Sequence, residues 1–197
     1  DDEGAQMRWR LTLLDDQLYE PFIAGLLKVE VEAIQKRPLQ LERGRLTSRH
    51  LPYEILAQAE PLDQYELQFK TPTTFARQKN HYPLPEPYSC YQSWWHRGQS
   101  FAPPSLGINI ALIDIVSAHM VISKFRLSST YWSAGKRQYV GAVGQMRFVP
   151  LRTNKVDAHW WDDAAVLARF AQFCGTGSKT TQGMGYTVLA DDEALSS

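Results

Sequence analysis

The stretch Phe173-Cys174-Gly175-Thr176-Gly177-Ser178-Lys179-Thr180-Thr181-Gln182-Gly183-Met184-Gly185-Tyr186 decides the reading of the fold, because it joins a helix to a strand through four glycines and one lysine. Before it, Asp157 can cap a helix on which Trp160, Ala164, Leu167, Ala171 and Cys174 form an apolar stripe; after it, residues 186–190 read as a strand. Glycine permits positive φ and close backbone approach, so successive N–H groups can converge on a phosphate while Lys179 supplies charge. The candidate phosphate contacts are Gly175, Gly177, Ser178, Lys179, Thr180, Gly183 and Gly185. The same composition suits a glycine-rich helix cap leading into a tight turn. The order GxxxxGK[ST] is absent and the loop follows a helix rather than preceding one, which argues against nucleotide hydrolysis.

Further upstream, Val140, Ala142, Gly144, Met146 and Phe148 share one face of a strand. In the strand before it, Phe125 and Leu127 alternate with Lys124 and Arg126, and Lys136-Arg137 stands at the turn between the two. Tyr88, Tyr91, Trp94 and Trp95 have helical spacing beyond a proline-bearing segment, 82–87, and read as core. Tyr65, Leu67 and Phe69 alternate with Glu66, Gln68 and Lys70 until Thr71-Pro72 breaks the strand. In the first part of the chain, Met7, Trp9, Leu11 and Leu13 alternate with Arg8, Arg10 and Thr12, which predicts a strand over 7–14. Asp15 and Asp16 can cap the helix that follows, with Leu18, Phe22 and Leu26 on one face. Weaker strands are expected around 28–34 and 39–46, and a short helix opens at Pro52. The order β-α-β-β-α-β is thus met once in part and once nearly whole. It predicts an α+β chain of tandem ferredoxin-like (RRM-like) domains, the first incomplete, over residues 1–63 and 64–197.

The 197 residues, 44% of them hydrophobic, suffice for one compact domain or two small ones with genuine cores. Lys plus Arg equals Asp plus Glu at 21 each, so net charge points to no partner, but its distribution is uneven. Lys124, Arg126, Lys136, Arg137, Arg147, Arg152 and Lys155 follow one another with no Asp or Glu between them. Such a run is either a set of solvated strand faces or a surface for a polyanion. No apolar stretch is long enough to span a bilayer, and Asp1-Asp2-Glu3-Gly4 is no signal peptide, so a cytoplasmic location without membrane contact is expected. Cys90 and Cys174 read as reduced, buried thiols. No His/Cys/Asp/Glu cluster has metal-ligand spacing, and neither a metal nor another cofactor is expected. The chain does not begin with Met, and it reads as a protein entered partway.

Taken in order, these segments resemble the Cas6 family (RAMP superfamily) of CRISPR repeat-RNA-processing endoribonucleases. Gly175, Gly177, Lys179, Thr180, Gly183, Met184 and Gly185 match the family's GxGxKTxxGMGxx signature. Residues 9–16 look like its central strand, Thr71-Pro72-Thr73-Thr74-Phe75 like its TPTxFR segment, and Tyr139-Val140-Gly141-Ala142-Val143-Gly144 like its GxxG strand. The resemblance implies a protein that grips CRISPR repeat RNA, both precursor and mature guide, and cuts the precursor without metal. In that chemistry a ribose 2′-OH attacks the adjacent phosphate, leaving a 2′,3′-cyclic phosphate and a 5′-OH.

The general-base histidine of the family commonly lies in a segment like GRxLHxxFL, which this sequence lacks, and no residue is assigned to catalysis. Of the five histidines, His81 follows Arg77 and Lys79 and is the best placed for an RNA contact; His50 ranks next, and His96, His119 and His159 border aromatic or apolar stretches. Lys124, Arg126, Lys136 and Arg137 join the glycine loop as expected RNA contacts. Two other readings stay open. One is a non-catalytic RNA-binding domain of a CRISPR complex, in contact with other CRISPR proteins, or of a Cas6–reverse transcriptase–Cas1 fusion. The other is a ferredoxin-like scaffold whose loop only turns the chain.

Overall fold

The computed structural model describes residues 10–190 except 27, 29–32, 35–36, 39–50, 59, 79, 105–106, 135–136 and 154. The expectations on His50, Lys79, Lys136 and residues 7–9 therefore lie outside the described residues. The chain divides into two units, Asp1–Leu51 and Pro52–Ser197.

In the first unit the Asp15 carboxylate accepts from Gln17 N at 2.9 Å and starts a 3-10 turn, Asp16–Leu18, that runs into helix α1, Tyr19–Leu26. Pro21 is tolerated there because it falls in the first turn, where its missing N–H has no partner to lose. Two short strands, β1 (Ala33–Ile34) and β2 (Arg37–Pro38), pair antiparallel. The strand predicted over 7–14 is not formed in its described part: residues 10–13 carry no strand, and Leu11 is exposed. Alternation alone does not make a strand.

The second unit runs α2 (Tyr53–Ala57), β3 (Tyr65–Thr73), β4 (Phe75–Arg77), β5 (Asn80–Tyr82), α3 (Pro87–Phe101), α4 (Ala111–His119), β6 (Met120–Ala134), β7 (Arg137–Pro150), α5 (His159–Cys174) and β8 (Thr187–Leu189). Strands β6, β7, β3 and β8 form one sheet in that spatial order, every neighbouring pair antiparallel. The first strand of the unit thus sits inside, flanked by the strand before α5 and the strand after it. This is the split β-α-β arrangement, with the small β4–β5 hairpin and α4 added between β3 and β6.

Alternation holds over the first part of β3, where Tyr65, Leu67 and Phe69 are buried and Glu66 and Gln68 half-buried; Thr71-Pro72 does not end the strand as expected, but falls in a register shift between Phe69 and Thr73, after which pairing with β7 resumes. With Met146 and Phe148 of β7, Tyr65, Leu67 and Phe69 make the sheet half of the core. The helical half comes from Cys90, Tyr91 and Trp94 of α3, Leu112 and Val116 of α4, and Ala164, Leu167 and Ala171 of α5. The spacing of Tyr88, Tyr91, Trp94 and Trp95 predicts a core face for α3, and it holds for part of it. Tyr91 and Trp94 are fully buried, Trp95 is half-buried, and Tyr88 faces solvent at 41%. Helix α5 begins without a side-chain cap; Asp157 contributes only its carbonyl, which accepts from Trp160 N, and so the expected Asp157 cap is corrected.

The opposite face of the sheet carries the polar partners. Register sets Glu66 of β3 against Arg147 of β7 and Arg147 against Lys124 of β6, and likewise Gln68, Gln145 and Arg126. Residues directly opposite share a face, and a 2.8 Å ion pair between Arg147 and Glu66 joins two of them. Lys124 and Arg126 therefore turn away from α5, as their alternation with Phe125 and Leu127 suggested. A bulge between Ile122 and Lys124 shifts this register by one residue. Past the last rung with β3 at Ala142, β6 and β7 continue as a two-stranded arm out to Ala134 and Arg137. Among the described residues no helix is long and apolar enough to cross a membrane.

Candidate functional site

The glycine-rich segment leaves α5 at Gly175 and is fastened at once to two distant parts of the chain. Ser178 N donates to the Thr74 carbonyl at 2.7 Å, Gly185 N to the Pro72 carbonyl at 3.0 Å, and Tyr186 N to Thr71 Oγ1 at 2.8 Å. Helix α3 supplies the second anchor. Ser93 Oγ accepts from Gly177 N at 2.9 Å, and the Arg97 guanidinium donates to the Gly177 carbonyl and to Thr180 Oγ1. Beneath lies a buried polar knot: Trp94 Nε1 donates to Thr176 Oγ1 at 2.9 Å, and Thr187 Oγ1 sits 2.7 Å from the same oxygen.

This clamping revises the expected phosphate cradle. Gly175, Gly177 and Gly185 are buried and face inward. At Gly177 (φ 79°) a Cβ would lie 2.2 Å from the Thr74 carbonyl oxygen, and at Gly185 (φ 73°) 2.1 Å from that of Thr176. These glycines are required by the closeness of backbone to backbone. The N–H groups of Gly177, Ser178 and Gly185 are taken by internal acceptors. What the loop offers outward is Lys179, Thr180 and Thr181, whose N–H groups have no partner among the described residues, together with exposed Gly183.

Lys179 is one of two non-glycine residues with positive φ among the described residues, at 62°. Its carbonyl accepts from Gln182 N and Met184 N, which fixes the peptide, and its ammonium lies 5.8 Å from the centroid of the Tyr139 ring. Tyr139 also meets His81 of β5 edge to face at 4.9 Å, and Trp132 across the β6–β7 arm at 6.0 Å. The structure thereby brings together two of the expected contacts, Lys179 and His81, through an aromatic ring that the sequence did not single out. Arg77 stands on the same small hairpin as His81, with its guanidinium 5.2 Å from the Tyr82 ring centroid. Arg137 lies exposed at the foot of β7, and Lys124 and Arg126 lie exposed on β6.

Burial sets the chemistry of the remaining candidates. It pushes the Cys174 thiol up to about 12, with Arg97 opposing, and it raises Cys90 and Tyr91 well above their ordinary values. None of the three is a nucleophile at neutral pH. Among the described residues no group of three or more His, Cys, Asp or Glu side chains could hold a metal ion.

An antiparallel split β-α-β sheet, whose last helix passes through a clamped, lysine-bearing loop into an edge strand, defines an α+β protein of ferredoxin-like strand order. Sequence comparison narrows the class. The family model of CRISPR-associated endoribonuclease Cas6 matches residues 67–187, and the chain belongs to that family. It is 23% identical over 181 residues to the CRISPR-associated endoribonuclease Cas6 of Streptococcus thermophilus, covering 90% of this chain and 73% of that protein. A solved Cas6 product complex matches with a TM-score of 0.76 at 25% identity, over 90% of this chain and 74% of that one. Thermus thermophilus Cas6 matches with a TM-score of 0.61 at 27% identity, over 69% of this chain and 57% of that one.

Proposed function

We propose that this chain binds CRISPR repeat RNA and cleaves the precursor transcript into guide RNAs by metal-independent attack of a ribose 2′-OH on the adjacent phosphate. The observation that carries the RNA-binding part is the tip of the glycine loop, where the Lys179 ammonium and three consecutive N–H groups, those of Lys179, Thr180 and Thr181, have no hydrogen-bond acceptor among the described residues. Phosphate is the ligand such a group of donors suits, and family membership supplies the RNA. Ser178, Lys179, Thr180, Gly183, His81, Arg77, Arg137, Lys124 and Arg126 are the proposed contacts, with Lys79 and Lys136 added from sequence. Contacts of this kind hold RNA mainly through its backbone, so affinity falls as salt rises. The tandem ferredoxin-like architecture, with residues 64–197 as its second member, belongs to the same reading; those residues lie within the compact unit Pro52–Ser197.

The test is incubation of the purified chain with the repeat RNA of its own CRISPR array, with and without EDTA, followed by end-group analysis. Cleavage that persists in EDTA and leaves a 2′,3′-cyclic phosphate and a 5′-OH is the expected result. Cutting that requires magnesium overturns the metal-independent step. Tight, salt-dependent binding without any cutting favours the non-catalytic RNA-binding reading instead.

A further inference from the structure

We propose that Tyr139 is a positioning residue for Lys179: its ring holds the ammonium in place without neutralising it, and so joins the β6–β7 arm to the glycine loop. The inference rests on the RNA-binding reading of that loop. Tyr139 is only 7% exposed although it stands on the two-stranded arm, where most neighbours face solvent. It is covered by side chains from three separate segments: His81 from β5, Trp132 from the facing strand and Lys179 from the loop. Among the described residues no carboxylate pairs with Lys179, and the ring is the partner of its ammonium.

That choice of partner has a chemical consequence. A carboxylate would fix a lysine but would also cancel its charge and compete with phosphate for its N–H donors. A π face restrains the cation through the ring quadrupole, takes up no hydrogen-bond donor and leaves the charge intact. The backbone of Lys179 is already fixed at φ 62°, with its carbonyl engaged twice. With the side chain held as well, the cation is pre-organised and less rotamer freedom is lost when a phosphate arrives. The quadrupole belongs to the ring and not to the hydroxyl, so phenylalanine should serve in place of tyrosine.

The experiment measures affinity for the array's repeat RNA in the full chain, for Tyr139→Phe, Tyr139→Leu, Lys179→Met and the double variant Tyr139→Leu/Lys179→Met. It is paired with the NMR shift of the Lys179 ε-methylene protons in the RNA-free protein. Expected are near wild-type binding for Tyr139→Phe and a loss of about five- to tenfold for Tyr139→Leu. In the Lys179→Met background, Tyr139→Leu should add no further loss. The ε-methylene protons should be ring-current shifted upfield in wild type and Tyr139→Phe, and unshifted in Tyr139→Leu. The inference is overturned if Tyr139→Leu costs the same in both backgrounds, if Tyr139→Phe binds as poorly as Tyr139→Leu, or if the wild-type protons are unshifted. Unchanged binding by Lys179→Met alone is a different failure, because it removes the loop from the RNA site and takes this inference with it.

Discussion

Lys179 combines an unusual backbone with a restrained side chain, and both should be visible in binding. Lys179→Ala removes one charge-assisted phosphate contact and should weaken repeat-RNA binding by about 1–2 kcal/mol in a low-salt titration. Unchanged affinity there would exclude the loop from the site. Gly177 and Gly185 predict a different phenotype, because an added Cβ would collide with a backbone oxygen at 2.2 or 2.1 Å. Gly185→Ala should lower the stability of the fold by about 1–3 kcal/mol, read from denaturant unfolding, and should weaken RNA binding only through that loss. Thr176→Val leaves the buried Trp94 Nε1 without its acceptor and should cost a similar about 1–3 kcal/mol. At this scale the loop is legible in the sequence as a motif, but the direction each of its residues faces is not. The glycines of the loop are legible as a motif, yet Gly177 turns inward because of the Thr74 carbonyl, which lies far earlier in the chain. Nothing local to residues 173–186 encodes that. Tyr139 was missed for the same reason: its meaning comes from His81 and Lys179, and both contacts are long-range.

Among the elements, those with a strong internal period were readable in advance. Strand β3 alternates as its sequence implied up to Lys70, and of the stripe Trp160, Ala164, Leu167, Ala171 and Cys174 on α5 the last four are buried while Trp160 is half-buried. Helix α4 gave no such signal, because Leu112-Ile113 and Ile115-Val116 form a short apolar run that a strand would fit equally well. The opposite mismatch lies at residues 10–13, where the side chains alternate but no strand forms. Strand β6 carries its own prediction. Lys124 and Arg126 are exposed on the face away from the helices, and one carboxylate, that of Glu66, answers Arg147 on the neighbouring strands. If RNA phosphates cross this face, Lys124→Ala/Arg126→Ala should lower affinity and flatten the plot of log K against log salt by about 1.4, two charges at the single-strand value. A wild-type slope in a folded double variant would place the RNA elsewhere.

For the molecule as a whole, the buried acids set an upper limit of pH. The Cys174 thiol ionises near 9.0 when exposed and near about 12 when buried, so between those values the unfolded chain has lost a proton that the folded chain retains. Stability is therefore unaffected below about 9 and declines as pH rises from there towards about 12, with Cys90 and Tyr91 acting in the same direction. Urea unfolding midpoints measured at pH 7, 9 and 10.5 should fall across the last interval, and Cys174→Ala should make that fall shallower. The strand order has a further consequence, for biosynthesis. Strand β8, residues 187–189, completes the pairing of β3, although β3 leaves the ribosome first and β8 last among the four. Until then one side of β3, with Leu67 and Phe69 upon it, is an open sheet edge exposed to other nascent chains. Nascent chains stalled with residues 184–190 still inside the exit tunnel should be cut readily by protease between β3 and α5. The same chains advanced until β8 has emerged should resist it.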